Sequence, residues 1–264
     1  MFFLEDLILY FFNHLFIFYA VALLLVYLII AIISGFELNY YLKKNRNFDY
    51  HQMLSYDRLP GVTVIAPAYN EEKSIVENVR CLLSIHYPDY EVIIVNDGSS
   101  DSTLQLIIDN YDLIEVGVAV DLKLNTQPIK RIFKSRNVAF SNLIVIDKEN
   151  GGKGDSLNAG INMSSKPLFM AIDVDSIIEE DAVLKMVKPF LEEEDGKRVI
   201  ASGGVVRIAN SCDIENGRIV KVNFPRYFLP TFQVLEYFRT FILGRMAWSK
   251  INGLLIISGA FGMF

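Results

Sequence analysis

The stretch YEVIIVNDGSSDST, residues 90–103, decides the fold. Its first half is a short apolar run rich in β-branched residues and without polar alternation, the signature of a strand buried on both faces of a sheet. Its second half is turn chemistry, Asn, Asp, Gly and Ser, leading into a helix expected over residues 102–108. The same cadence lies on either side. VTVIAPAYN (62–70) runs into EEKSIVENVRCLLSI (71–85), where Ile75, Val76, Val79, Leu82 and Leu83 fall at helical spacing. Asn70 is the expected N-cap there, with Glu71 and Glu72 in the first turn. Downstream come LIVID (143–147), a helix from about Asp155, PLFMAID (167–173) and a helix over EDAVLKMVKPFL (180–191). Such alternation predicts an α/β fold, Rossmann-like, with a mostly parallel sheet flanked by helices. Residues 111–141 interrupt it and read as an excursion with a hairpin or irregular loops. The bases between Lys123 and Arg136 are then either a solvated face or a contact for anionic lipid.

In parallel sheets ligands bind beyond the carboxyl ends of the strands. Four polar signatures fall at those ends: AYNEE, NDGSS, ENGGKGD and DVDS. The last carries Asp173 and Asp175, two like charges separated by one residue. A divalent ion makes that crowding favourable, because Mg²⁺ takes oxygen ligands, uses one or two carboxylates and leaves positions for substrate phosphates. Alone, the pair could equally end a strand and cap a turn, with Glu179, Glu180 and Asp181 serving the next helix start. The three companion loops favour the ligand-binding alternative. The glycine loop 151–154 is not a P-loop, since Asp147 and Gly154 stand where Gly and Ser or Thr are needed. Nor is it a dinucleotide fingerprint, because the third glycine falls on Leu157. It can present Lys153 and backbone donors to an anion, or simply make a tight turn.

The amino end is of another kind. Between residues 7 and 36 there is no Asp, Glu, Lys or Arg, and about 20 such residues cross the hydrocarbon core as a helix. One transmembrane helix is expected over 7–36, with Asn13 and His14 near the outer interface. A signal peptide would have a shorter apolar region and a basic amino end; here Glu5 and Asp6 precede it. Residues 37–60 read as a juxtamembrane linker and 61–264 as the α/β domain. Lys43, Lys44 and Arg46 follow the span, so the positive-inside rule puts the domain in the cytoplasm. Cys81 and Cys212 form no metal-binding or disulfide pattern. The net charge of −6 argues against a nucleic-acid partner.

Taken together, VIAPAYNEE, VIIVNDGSSDST, NGGKGDSLNAGI, MAIDVDS, FQVLEYFRTFILGR and LIISGAFGMF resemble the inverting family 2 glycosyltransferases of GT-A fold. The similarity is to the membrane-bound group of hyaluronan, chitin, cellulose and poly-N-acetylglucosamine synthases. It implies that Tyr69 and Glu71 border the base and ribose of a UDP-sugar, that Asp97 contacts the uracil end and that Lys153 approaches the diphosphate. It further implies that Asp173 and Asp175 bind Mg²⁺ or Mn²⁺, Asp175 the more directly, and that Ser258 and Gly259 lie beside the acceptor sugar. The general base of such enzymes, the Asp of a TED-like motif, follows the SGAFG segment. It is therefore expected beyond Phe264, with no catalytic base inside these residues.

The resulting expectation is the amino-terminal portion of a plasma-membrane glycosyltransferase, using a UDP-sugar donor and a glycan acceptor to build an extracellular or cell-wall polysaccharide. A non-catalytic, membrane-tethered UDP-sugar-binding or regulatory subunit working with a partner subunit is the second reading. A sugar nucleotidyltransferase is the third, although APAYNEE lacks the Gly-rich basic signature such an enzyme carries after its first strand. The stretch TFQVLEYFRTFILGR places Phe232, Leu235, Phe238 and Ile242 along one apolar face, suited to a membrane surface or to packing within the domain.

Overall fold

A computed structural model describes residues 2–46, 48–54, 59–118, 120–192, 198–209, 212–215, 218–254 and 256–264. The chain divides into two compact units: residues 1–48 with 227–255, and residues 49–226 with 256–264. The carboxyl-terminal stretch expected wholly within the α/β domain is thus split between them.

Helix α1 (Phe2–Asn45) is continuous. The expected span lies inside it, but residues 37–45, expected to open the linker, are helical too. Nothing in ELNYYLKKN breaks a helix, and Lys43 and Lys44 occupy its last turn, where cations meet the negative end of the helix dipole. Residues 47 and 55–58 of the expected linker lie outside the described residues, and a short helix α2 (Tyr50–Met53) falls between them. From Leu9 onward α1 is long and apolar enough to cross a membrane. Its Leu, Phe, Ile and Val side chains from Leu9 to Ile29 are exposed, an arrangement that suits hydrocarbon and not water. His14 turns its Nδ1 to the Tyr10 carbonyl at 2.8 Å, so that polar ring is satisfied within the helix.

The other unit runs β1 (Val62–Ala68), α3 (Ile75–Leu83), β2 (Tyr90–Asp97), α4 (Thr103–Asn110), β3 (Leu113–Glu115), β4 (Ile129–Ser135), β5 (Leu143–Lys148), α5 (Lys153–Met163), β6 (Leu168–Ile172), α6 (Ala182–Leu191), β7 (Ser202–Gly203), the hairpin β8 (Asp213–Glu215) and β9 (Arg218–Lys221), and finally β10 (Phe261–Met263). The sheet order is β3-β4-β5-β2-β1-β6-β10-β7. Its centre, β5-β2-β1-β6, is parallel, as the uniformly apolar strands require. The flanks are antiparallel, which makes the whole sheet mixed. The excursion at 111–141 therefore extends the main sheet through β3 and β4. Within its basic cluster Arg131 is an exception to a solvated face, pairing with Asp147 at 2.8 Å.

Val62, Val64, Ile65, Val92, Ile93, Ile94, Val95, Val145 and Ile146 are fully buried. Each such side chain contributes about 1.5–3 kcal/mol on leaving water. Helix α5 lies against this layer so closely that a Cβ on Gly160 would stand 2.3 Å from Ile65 Cγ2. At the amino ends of the strands, far from the loops of interest, the Glu91 carboxylate accepts from Thr63 Oγ1 at 2.6 Å and from the Ser165 amide at 2.7 Å. That network satisfies a buried acid.

In the first unit, α7 (Phe228–Phe238) continues through a π-helical stretch (Arg239–Arg245) into α8 (Met246–Lys250). The π-helical stretch and α8 pack on α1. Ser34 Oγ donates to the Ile242 carbonyl at 2.5 Å, and Lys250 pairs with Glu37 at 3.0 Å. Phe228, Leu229, Phe232, Leu235 and Phe238 remain exposed.

Candidate functional site

The four parallel strands end at one edge, and the loops leaving them are knitted together by their polar residues. Asn70 adopts a left-handed backbone (φ 56°), a conformation Asn tolerates better than most residues. Its amide donates to Ser99 Oγ at 3.0 Å, and its Oδ1 accepts from the Ser100 amide at 2.9 Å. Asn70 is thus no N-cap. The residue preceding α3 is Ser74, and the Asn70 side chain is committed across the edge to the next loop. The Glu71 amide donates to Thr103 Oγ1 at 2.8 Å. The Glu72 amide donates to Asp101 Oδ2 at 3.2 Å, and the Ser102 amide returns a bond to Glu72 Oε2 at 3.3 Å.

The second knot ties β2 to the glycine loop. Asp97 is buried; its Oδ1 accepts from Lys148 Nζ at 2.6 Å and the Gly151 amide at 3.0 Å, and its Oδ2 from the Gly152 amide at 2.8 Å. Burial alone would push this carboxyl up, but the bonds from Lys148, Gly151 and Gly152 hold it below the ordinary value. Asn150 Nδ2 adds a bond to the Asp97 carbonyl at 2.8 Å. Two glycines are required here by their backbones. Gly98 has φ +69° and a Cβ on it would lie 2.9 Å from the Asn150 amide nitrogen, while Gly152 has φ +84°.

Between these knots opens a cleft of about 290 Å³ lined by Pro67, Ala68, Tyr69, Glu71, Asp97, Lys153, Asp173, Val174 and Asp175. All six residues expected at the donor sugar-nucleotide share it. Tyr69 is exposed at the mouth of the cleft, with 53% of its surface accessible. Glu71 bonds locally to Ser74 Oγ at 3.3 Å. Asp173 and Asp175 follow β6 at the rim, with Val174 buried between them. Lys153 Nζ pairs with Asp173 Oδ1. The Asp175 carboxylate is exposed and makes no hydrogen bond or ion pair among the described residues. Ser258 and Gly259 do not line the cleft. They lead into β10, whose Phe261 pairs with Ile172, so they stand beside the aspartate loop. A Cβ on Gly259 would lie 3.7 Å from Lys153 Nζ.

No group of three metal-ligating side chains occurs among the described residues. Two rim carboxylates, one of them unpaired, are nevertheless oxygen donors of the kind that would suit a divalent cation. Sequence reasoning missed Lys148, Asp155 and Asn150. Lys148 lies just past the strand expected over 143–147, and only the fold extends β5 to it and shows where its amine goes.

Residues 63–249 match the family described as glycosyl transferase family 2. The chain belongs to that family. The α/β unit is its GT-A-like domain, a mixed sheet flanked by helices. Among curated proteins this family 2 chain is similar to the poly-beta-1,6-N-acetyl-D-glucosamine synthase of Staphylococcus epidermidis, 27% identical over 79% of this chain and 40% of the relative. The synthase of the same name from Staphylococcus aureus strain COL is 27% identical over 96% of this chain and 50% of the relative. The chain thus spans about half the length of the curated relatives it matches. Solved structures similar to it include S. aureus TarS 1-349 in complex with UDP, 26% identical over 50% of this chain and 32% of that one, with a TM-score of 0.35. Another is the mannosyltransferase PcManGT from Pyrobaculum calidifontis in complex with GDP-Man and Mn²⁺, 19% identical over 90% and 55%, with a TM-score of 0.48.

Proposed function

We propose that the family 2 domain binds a UDP-sugar in the cleft at the carboxyl edge of its sheet and transfers the sugar, with inversion, to a glycan acceptor of an extracellular or cell-wall polysaccharide. The observation that carries this reading is the convergence of Tyr69, Glu71, Asp97, Lys153, Asp173 and Asp175 on one cleft. Tyr69 offers a face for the uracil ring and Glu71 borders the ribose. Asp97 lies at the uracil end and holds the glycine loop. Lys153, at the start of α5, swings from Asp173 to the diphosphate. Asp175, with Asp173, holds Mg²⁺ or Mn²⁺, which offsets the diphosphate charge and stabilises departing UDP. An acidic protein cannot receive a diphosphate on carboxylates alone, so a cation and a lysine at the same rim supply the compensation. Ser258 and Gly259 flank the acceptor side, where a small backbone segment admits a sugar ring.

Helix α1 anchors this domain in the plasma membrane, and Lys43, Lys44 and Arg46 keep the domain cytoplasmic. The exposed aromatic face of α7 suits the lipid interface. Calorimetry on the chain in detergent tests the donor site. UDP should bind with Mn²⁺ and bind at least tenfold more weakly to Asp175→Asn, whereas equal affinity for both proteins, or no effect of Mn²⁺, contradicts the assignment.

A further inference from the structure

We propose that Lys148 is a positioning residue of the donor site, a buried ammonium that fixes the glycine loop and so aims Lys153 into the cleft. The inference rests on the donor-site reading above. The Lys148 side chain is 0% exposed, and its Nζ lies 2.6 Å from Asp97 Oδ1, 2.6 Å from Asp155 Oδ2 and 2.6 Å from the Glu149 carbonyl. Two of its donors make hydrogen bonds, to Asp97 Oδ1 and the Glu149 carbonyl, and the contact with Asp155 Oδ2 is an ion pair, so the wholly buried ammonium is enclosed by protein oxygens. Lys148 therefore cannot touch the sugar nucleotide, and any influence on it passes through other residues.

Those acceptors belong to three separate pieces of chain: the end of β2, the first turn of α5, and the peptide that leaves β5. Asp97 then passes the constraint on, accepting from the amides of Gly151 and Gly152. The result is that Lys153 has a fixed residue on either side, Gly152 just before it through Asp97 and Asp155 two positions after it through Lys148. Asp155 is fixed a second time by the Gln127 amide, at 2.9 Å to its Oδ1. Without the ammonium, two partly buried carboxylates would face each other across the loop and repel, and the loop would open where two glycines offer the least resistance. A lysine buried this deeply is retained at a cost in desolvation. Its position at the ligand-facing edge of the sheet makes loop geometry the matching gain.

The test uses the full chain in detergent, with Lys148→Met and Lys148→Arg each made in the wild-type and Lys153→Ala backgrounds. Three quantities are read: hydrogen exchange at the Gly151 and Gly152 amides without ligand, UDP affinity in Mn²⁺, and Tm. Lys148→Met should speed exchange at both glycines and weaken UDP binding at least tenfold. In the Lys153→Ala background it should change affinity less than twofold further, while lowering Tm as much as before. A merely structural lysine would give losses of affinity that add in the two backgrounds, and that result, or unchanged exchange, overturns the proposal. If Lys148→Met does not fold, Lys148→Arg carries the same cycle, because a planar guanidinium keeps the charge but cannot bring one compact cation close to all three oxygens. Should the wild-type chain bind no UDP, the donor-site reading fails by itself. Glycine exchange would then still decide whether Lys148 holds the loop: faster exchange in the variants supports it and unchanged exchange overturns it.

Discussion

Asp97 and Gly98 carry more of the site than their size suggests. The Asp97 carboxyl ordinarily titrates near 3.8 and is held lower in the fold. A depressed carboxylate stabilises the folded loop above its unfolded pKa, and the contribution disappears as pH falls through the folded one. Protection of the Gly151 and Gly152 amides should therefore be constant from neutral pH down to about 5 and decline only below about 4. Amide exchange across that range checks it; a loss centred near pH 6 would point to another group. Gly98→Ala should cost about 1–3 kcal/mol, since an L-residue is strained at its φ and the new methyl meets the Asn150 backbone. Denaturant unfolding measures that. That Tyr69, Glu71, Lys153 and the two aspartates fall at one edge of the sheet was legible from the strand pattern, while the roles given to them come from the resemblance to the family. Lys148 was not, because a lysine just past an apolar run looks the same whether its amine meets water or two carboxylates. Asn70 was misread for a related reason: Asn followed by two acids resembles a helix cap until a second loop competes for the side chain.

At the scale of elements, uniformly apolar strands gave the parallel centre of the sheet without ambiguity, whereas β3, β4, β7 and β10 were harder to place. Those four are short or only partly buried, so periodicity cannot distinguish a strand at the flank from a loop. Helix α5 is the element that joins core to cleft. Its Gly160 allows close approach to Ile65, and Gly160→Val should destabilise by about 1–3 kcal/mol through overpacking. Because the same helix begins at Lys153, UDP affinity should fall together with Tm in that variant. By contrast, Ile94→Ala in β2 leaves a cavity costing about 2–5 kcal/mol, and thermal melting should show that loss directly.

For the whole molecule, composition separated an apolar amino end from an α/β domain, and the structure divides the chain along other lines as well. Residues 227–255 join α1, a partnership that depends on Ser34, Glu37 and a π-helical carbonyl and leaves no periodic trace in sequence. If α1 spans the plasma membrane with the domain inside, an impermeant maleimide should label a cysteine appended before Met1 in intact cells. One substituted at Arg46 should react only after permeabilisation, and the reverse pattern would invert the topology. In the proposed mechanism one cleft at the carboxyl edge of the sheet receives the nucleotide. Photolabelling with an azido-uridine diphosphate in Mn²⁺, followed by peptide mapping, tests it most directly. Label on the peptides carrying Tyr69 and Asp97, abolished by excess UDP, is the predicted result; label confined to peptides remote from that cleft would contradict it.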